Sequence, residues 1–215
     1  MLQVAHLALN NHRQPLLQAV NFTVAPGEVL TLMGPSGCGK SSLLHWMIGA
    51  LPPGMTAQGE LWLAGARIDH LPTTQRRCGI LFQAPLLFPH LSVGDNLLVA
   101  LPAGSGNPRQ RIARAETALA HAGLGGFFHR DPATLSGGQS SRVSLLRALL
   151  AEPRALLLDE PFSRLDSTLR ADFRQWVFSR VAERAIPVIQ VTHDAQDIPP
   201  GGRALQMAQW APAMR

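Results

Sequence analysis

The sequence predicts an α/β protein in which a mostly parallel sheet is interrupted by a helical insertion. Three observations carry this. The apolar runs ALLL (155–158) and PVIQV (187–191) do not alternate, which suits strands buried on both faces of a parallel sheet. Strand-like and helix-like stretches alternate towards both ends of the chain. Between them, from about residue 92 to 151, the pattern is helical alone, so one α/β core with an insertion is expected, not two consecutive domains.

Taken in order, residues 2–9 and 16–24 are short strands, and Ala25-Pro26-Gly27 marks a turn before the apolar strand 29–33. GPSGCGKSS (34–42) follows, then a helical SSLLHWMIGAL that Pro52-Pro53 is expected to end. Further strands fall at 60–63 and 79–82. In the middle, SVGDNLLVAL, RQRIARAETALAHAG and a run from Gly138 are helical, and PAGSGNP (102–108) is a flexible break between the first two. A strand at 155–158, a helix at 167–184 and a strand at 188–191 complete the series. Internal repeats and low-complexity tracts are absent.

The bulk numbers narrow the function. At 215 residues, 46% hydrophobic and 15% charged, the chain suits a compact domain with a real core and excludes a disordered one. Apolar runs fall short of the roughly 18 residues of a membrane span; the best, 143–151, is broken by Arg147. MLQVAHLALNN has neither a charged start nor a long apolar stretch, so it is not a signal peptide, and a soluble cytoplasmic protein is expected. Cys38 and Cys78 form no disulfide framework and lack metal-ligand spacing, so both are expected to be reduced. A net charge of +5 invites a nucleic-acid partner. The arginines are scattered, however: Arg109, Arg111 and Arg114 read as one solvated helix face, and with 6% aromatic residues and no tyrosine there is little to stack on bases. No direct nucleic-acid binding is expected.

Lys40 is the only lysine in a chain that otherwise uses arginine. It stands in Gly34-x4-Gly39-Lys40-Ser41, the P-loop spacing, with a strand before and a helix after. Glycines let consecutive backbone N–H groups turn onto an anion, and the helix adds its positive end. A compact ammonium on a thin stem reaches β- and γ-phosphates where a guanidinium fork does not fit. Residues Gly34, Pro35, Ser36, Gly37, Cys38, Gly39, Lys40, Ser41 and Ser42 are thus the expected phosphate cradle, with the Ser41 hydroxyl as a Mg²⁺ ligand. The matching carboxylate is Asp159, at the end of ALLLDE, where open α/β sheets bind ligands. Asp159 is expected to hold Mg²⁺, and Glu160 to orient and deprotonate an attacking water.

A second glycine-rich stretch, Leu135-Ser136-Gly137-Gly138-Gln139, opens another helix. It is either an ordinary helix cap or a second phosphate-facing element, and one nucleotide needs only one cradle. It makes sense as a cradle if it faces the nucleotide held by another copy of the chain.

LSGGQ, the P-loop and LLLDEP together resemble the nucleotide-binding subunit of ABC transporters, and Gln83, the segment Ser163-Arg164-Leu165-Asp166 and Thr192-His193-Asp194 follow the family's order. The likeness runs from about residue 2 to 193, and LFQAPLLFPHLSVGDNL is similar to import-type subunits. It implies a P-loop NTPase core of the ABC ATPase type with a mixed or parallel sheet and an N-terminal antiparallel β region. On that pattern residues 1–83 and 152–215 form the core and about 84–151 a helical subdomain. The resemblance further implies a head-to-tail homodimer hydrolysing two ATP molecules with Mg²⁺, each lying between one chain's P-loop and the other's Ser136, Gly137, Gly138 and Gln139. Gln83 would help bind Mg²⁺ and sense the membrane partner, Asp166 would bridge the dimer, and His193 would contact the γ-phosphate and hold the attacking water. An integral-membrane permease and a periplasmic or extracellular solute-binding protein would be the partners, placing the chain peripherally on the cytoplasmic face of the inner membrane.

The sequence also departs from the pattern. The aromatic residue that stacks on adenine is missing near Asn11 unless His12 serves, so weaker ATP binding or poorer choice among purines is expected. Ser141 replaces a common glutamine, with a modest effect. Few residues follow His193, so no regulatory C-terminal domain is expected. A soluble ABC-type ATPase acting on nucleic acid or ribosomes is the alternative, although such proteins usually fuse two cassettes or carry long insertions. A P-loop kinase gains nothing from LSGGQ.

Overall fold

A computed structural model describes residues 1–12, 14–163, 165 and 167–212; Asp166, expected to bridge a dimer, lies outside the described residues. The chain opens with antiparallel strands β1 (Leu2–Asn11) and β2 (Gln14–Val24), paired from Leu2 opposite Val24 to Asn11 opposite Gln14 with register shifts after Val4, Leu7 and Leu9. In β2, Val20, Phe22 and Val24 turn inward and alternate with exposed residues, the period-two pattern of a sheet with one wet side, and the buried Leu17 lies one residue out of that period, across the irregularity at Ala19 (φ 52°). β3 (Val29–Met33) follows, then helix α1 (Lys40–Ile48). The chain returns through β4 (Met55–Leu63) and β5 (Ala66–Arg67), which complete an antiparallel sheet in the order β2-β1-β4-β5.

A short helix α2 (Thr73–Arg76) leads to β6 (Cys78–Leu81). The helical insertion then comprises α3 (Val93–Leu98), α4 (Pro108–His121) and α5 (Gly137–Leu150). β7 (Ala155–Asp159), α6 (Ser167–Arg184), β8 (Val188–Thr192) and β9 (Arg203–Gln206) finish the fold. The second sheet is parallel, in the order β6-β7-β8-β3-β9. β7 and β8 are buried at every position, as their unbroken apolar runs predict.

Three apolar clusters hold these layers. Leu30 and Leu32 of β3 pack with Leu43, Leu44 and Met47 of α1 and with Leu7, Leu9 and Val20 of the antiparallel sheet. Val93, Leu97, Leu119, Val143 and Leu146 form the centre of the helical insertion. Leu145 and Leu149 of α5 join Leu156 and Leu158 of β7 and Phe173 and Val177 of α6. α5 therefore belongs to both the insertion and the sheet, because its apolar residues cover two faces. Truncating Leu145 to alanine costs about 2–5 kcal/mol.

Several element ends differ from the sequence expectation. α1 stops at Ile48, not at Pro52-Pro53: Gly49 adopts φ 77° and its N–H bonds back to Trp46, a left-handed cap that ends the helix earlier. β4 begins at Met55 and not at residue 60, since it pairs with β1 as far as Asn11 opposite Met55. PAGSGNP is a break as expected, and its last residues also start α4. Asn107 and Gln110 exchange bonds in a capping box, and Pro108 takes the first helical position. No helix among the described residues is long and apolar enough to cross a membrane.

Candidate functional site

Four adjacent strands of the parallel sheet end on one level. Register pairs Leu81 with Leu158, Asp159 with Val191, and Met33 with Thr192. The residues just beyond these ends are Gln83, Glu160, His193 and Gly34, so the sheet's carboxyl edge gathers positions spread over most of the chain. A cleft of about 270 Å³ opens there, lined by Ser36, Gly37, Gly39, Lys40, Ser41, Ser42, Gln83 and Glu160.

The loop 34–42 enters α1 through Gly39, whose φ of 96° no L side chain adopts readily; a β-carbon there would also meet Leu16 and Leu17 of β2 at 3.2 Å. No side chain caps α1, which leaves its first N–H groups open to a ligand. Lys40 is buried, and its Nζ donates to the carbonyls of Gly34 at 2.8 Å and Pro35 at 2.9 Å. An ammonium has three donors, and no carboxylate forms an ion pair with this one among the described residues. A buried cation without a counter-ion at an open helix start is a strong attractor for an anion.

Ser41 Oγ donates to Asp159 Oδ1 at 3.1 Å. Burial pushes the Asp159 carboxyl up from its ordinary range; the Ser41 bond works against that, and the neighbouring Glu160 adds to it. The carboxylate is thus short of positive charge. Beside it, Glu160 sits at φ 45°, a left-handed conformation that costs on the order of 1–3 kcal/mol. Its N–H bonds to the Val191 carbonyl at 3.0 Å, and its own carbonyl accepts from the Ser163 hydroxyl at 3.0 Å. The turn swings the side chain into the cleft. There Oε2 accepts from Gln83 Nε2 at 3.1 Å, and Oε1 lies 3.2 Å from His193 Nδ1. Gln83, Glu160 and His193 therefore meet, with the carboxylate in the middle.

Ser136, Gly137, Gly138 and Gln139 do not line this cleft. Ser136 and Gln139 form a capping box at the start of α5, with Gln139 N donating to Ser136 Oγ at 3.3 Å and Ser136 N donating to Gln139 Oε1 at 3.0 Å. Ser136 and Gly137 are exposed and Gly138 is buried. The buried Ser141 hydroxyl donates to the Gly137 carbonyl at 3.0 Å, back-bonding within the first turn of α5. Cys38 and Cys78 are both free thiols, and burial pushes the Cys78 thiol up to about 12, so it is inert. His12 does not line the cleft either: its ring covers Gly54, where a β-carbon would stand 2.4 Å from it.

In the sequence Arg76 reads only as half of a basic doublet, Arg76-Arg77. Its guanidinium is buried and donates to the carbonyls of Trp46 at 2.7 Å, Met47 at 3.1 Å and Leu71 at 2.8 Å, so it closes the far end of α1. The doublet Arg76-Arg77 carries no local signal of this, because the α1 carbonyls it bonds, those of Trp46 and Met47, are 30 and 29 residues away.

A parallel sheet whose carboxyl edge meets a glycine loop and an acidic strand end is the fold of P-loop ATPases. The chain belongs to the ABC transporter family, which it matches over residues 17–163, and it is an ATPase of that family. It is 61% identical over 212 residues to the ABC transporter ATP-binding protein YnjD of Escherichia coli (strain K12), covering 98% of this chain and 97% of that one. It is 41% identical to the sulfate/thiosulfate import ATP-binding protein CysA of Nephroselmis olivacea over 84% of this chain. It is 39% identical to the Fe(3+) ions import ATP-binding protein FbpC of Brucella abortus (strain 2308), again over 84% of this chain. It spans about half the length of these two import proteins, 52% and 50%. Among solved structures, the dimeric bacterial ABC transporter cassette MJ0796 superposes with a TM-score of 0.81 at 29% identity, covering 96% of this chain and 95% of that one. Its post-hydrolysis dimer bound to ADP and Pi gives 0.79 at 30% identity, covering 92% and 90%.

Proposed function

We propose that this chain is the ATP-hydrolysing subunit of a membrane importer and works as a homodimer that closes on two ATP molecules. One observation carries the reading. The cleft at the sheet edge is lined by a phosphate loop, Gln83 and Glu160, with Asp159 and His193 bonded to its walls, while the second glycine-rich helix start is absent from its lining, capped by its own Ser136 and Gln139. Each chain then offers two unlike halves of a site, and a head-to-tail pair completes both. The MJ0796 cassette, similar throughout its length, is dimeric. The relatives CysA and FbpC are import proteins, which favours import here.

In this reading residues 34–42 enclose the triphosphate and Lys40 neutralises its β- and γ-phosphates. Ser136, Gly137, Gly138 and Gln139 of the other copy would meet the γ-phosphate, and Asp166 would bridge the pair. Glu160 accepts the proton of the attacking water as the bond to the γ-phosphorus forms and the bond to ADP breaks. His193 and Gln83 hold the Glu160 carboxylate from both sides. Mg²⁺ fits the donors present. Ser41 and Asp159 offer one hydroxyl and one under-neutralised carboxylate, Gln83 an amide oxygen, and the described residues gather no cage of three or more His, Cys, Asp or Glu. That suits an ion completed by phosphate oxygens and water rather than a protein-only site. When bound, it would neutralise charge between the β- and γ-phosphates.

Closing and opening form a two-state switch biased by the nucleotide. Its output would leave through the insertion near Gln83, where Leu86 (57% exposed) and Phe88 (44%) stand out of the surface beside Arg147. A permease docked there would place the chain on the cytoplasmic face of the membrane, with a solute-binding protein on the far side. Affinity purification from solubilised membranes tests this. A polytopic membrane protein should co-purify; ribosomes or DNA in its place would overturn it.

A further inference from the structure

The His193 side chain is 59% exposed, and among the described residues Glu160 is its one side-chain partner. The ring is therefore aimed by its backbone, and the backbone is held from both sides. The hydroxyl of Thr192, the last residue of β8, donates to Asp197 Oδ2 at 2.7 Å and accepts from the Asp194 N–H at 3.1 Å. Asp194 opens a short 3-10 turn, Ala195–Asp197, by accepting from the Gln196 N–H at 2.9 Å. Gln190 Nε2 donates to the Asp197 carbonyl at 2.9 Å.

Arg170, near the start of α6, closes this arrangement. Its Nε and Nη2 donate to Asp197 Oδ1 at 3.0 and 2.7 Å, and Nη2 is 2.8 Å from Asp194 Oδ2. The Asp197 side chain is 2% exposed and that of Arg170 21%. Arg174, one turn further on, donates to the Gln196 carbonyl. Burial opposes the charge on Arg170, but the bond to Asp197 and both carboxylates outweigh it and raise its pKa. A desolvated, doubly paired guanidinium is not free to shift alone, since breaking the pair strands a buried charge.

We propose that Arg170 is a positioning residue for His193: from α6 it fixes Asp194 and Asp197, and through them the backbone that aims the imidazole at Glu160. α6 follows the segment leaving Glu160, so a displacement of its first turn is passed by the Arg170 side chain to the residues that hold the histidine's backbone. The inference rests on the proposed part of His193 in hydrolysis.

The test is a double-mutant cycle on the full chain. Arg170→Ala is expected to lower kcat for ATP about tenfold to a hundredfold, with KM changed less than about twofold. Arg170→Lys, which keeps the charge but loses the fork, falls in between. In a His193→Ala background Arg170→Ala should lower the residual turnover no further. Equal fold losses in both backgrounds overturn the inference, whereas full turnover in His193→Ala alone overturns the proposed role of His193 instead. A second readout is independent of turnover. With ¹³C-labelled histidine, Arg170→Ala should move the ring signal of His193 and leave those of the other histidines in place. An unmoved His193 signal overturns the inference. Asp194→Asn, at the more exposed end of the cluster, should show the same pattern more weakly if Arg170→Ala does not fold.

Discussion

Ser41 and Asp159 lie 118 residues apart in the chain and are joined by a 3.1 Å hydrogen bond from the seryl hydroxyl to the carboxylate. The bond links the start of α1 to the end of β7 and leaves Asp159 partly compensated. Burial still holds its pKa above the ordinary 3.8. For a carboxyl raised in the folded state, the fold binds the proton more tightly than the unfolded chain does. Its contribution to stability is therefore lost as pH rises from 3.8 through the folded value, and the deficit persists at neutral pH. Asp159→Asn removes the charge and keeps an acceptor for Ser41. Without nucleotide it should melt a few degrees above the parent at pH 7, with the difference shrinking towards pH 4. The stabilisation produced by Mg²⁺ and ATP should fall in the same variant. A lower melting temperature at pH 7 would contradict this account of Asp159.

Lys40 invites a sharper substitution than alanine. Its ammonium fits between the Gly34 and Pro35 carbonyls, 2.8 and 2.9 Å away, in a space a planar guanidinium does not share. Lys40→Arg preserves charge, yet it should lose the thermal shift with ATP as completely as Lys40→Ala. Retained binding in the arginine variant would show that charge alone suffices.

Much of this was legible in the sequence, for identifiable reasons. β7 and β8 are buried on both faces, so they appear as unbroken apolar runs, and the P-loop spacing fixes the turn between β3 and α1. β9 escaped because it is four residues long, exposed at most positions, and follows the turn-forming Pro199-Pro200-Gly201-Gly202. Its strand character comes from pairing with β3, which a local pattern does not contain. The first residues of β4 escaped likewise, because Met55–Gln58 gain their conformation from β1. At the site, the residue types of Gln83, Glu160 and His193 were visible, but their meeting at one carboxylate is a property of strand register. Arg76 and Arg170 gave no signal, since an arginine's partners on other elements leave no trace beside it.

His12 is the position the sequence leaves open for a ring against the base. The ring lies over Gly54 and is not part of the phosphate cleft's lining, and the His12 N–H bonds to the Gly54 carbonyl at 2.9 Å. His12→Ala should therefore bind ATP within about twofold of the parent, because base stacking worth about 1–3 kcal/mol is not lost. With no ring on the base, GTP should compete with ATP at comparable concentration. A tenfold loss of ATP affinity in the variant, read by equilibrium dialysis, would put the imidazole back on adenine.

Two chains sharing each nucleotide is the central proposal for this protein. Glu160→Gln keeps the shape at φ 45° and the contact to Gln83 while removing the proton acceptor, so bound ATP should persist. Size-exclusion chromatography of this variant with ATP and Mg²⁺ is the most direct measurement. A dimer is predicted with ATP, a monomer without it, and a monomer in both conditions once Ser136→Arg is added to block the second cradle. An ATP-loaded Glu160→Gln protein that elutes as a monomer, or a dimer indifferent to Ser136→Arg, would contradict the shared site.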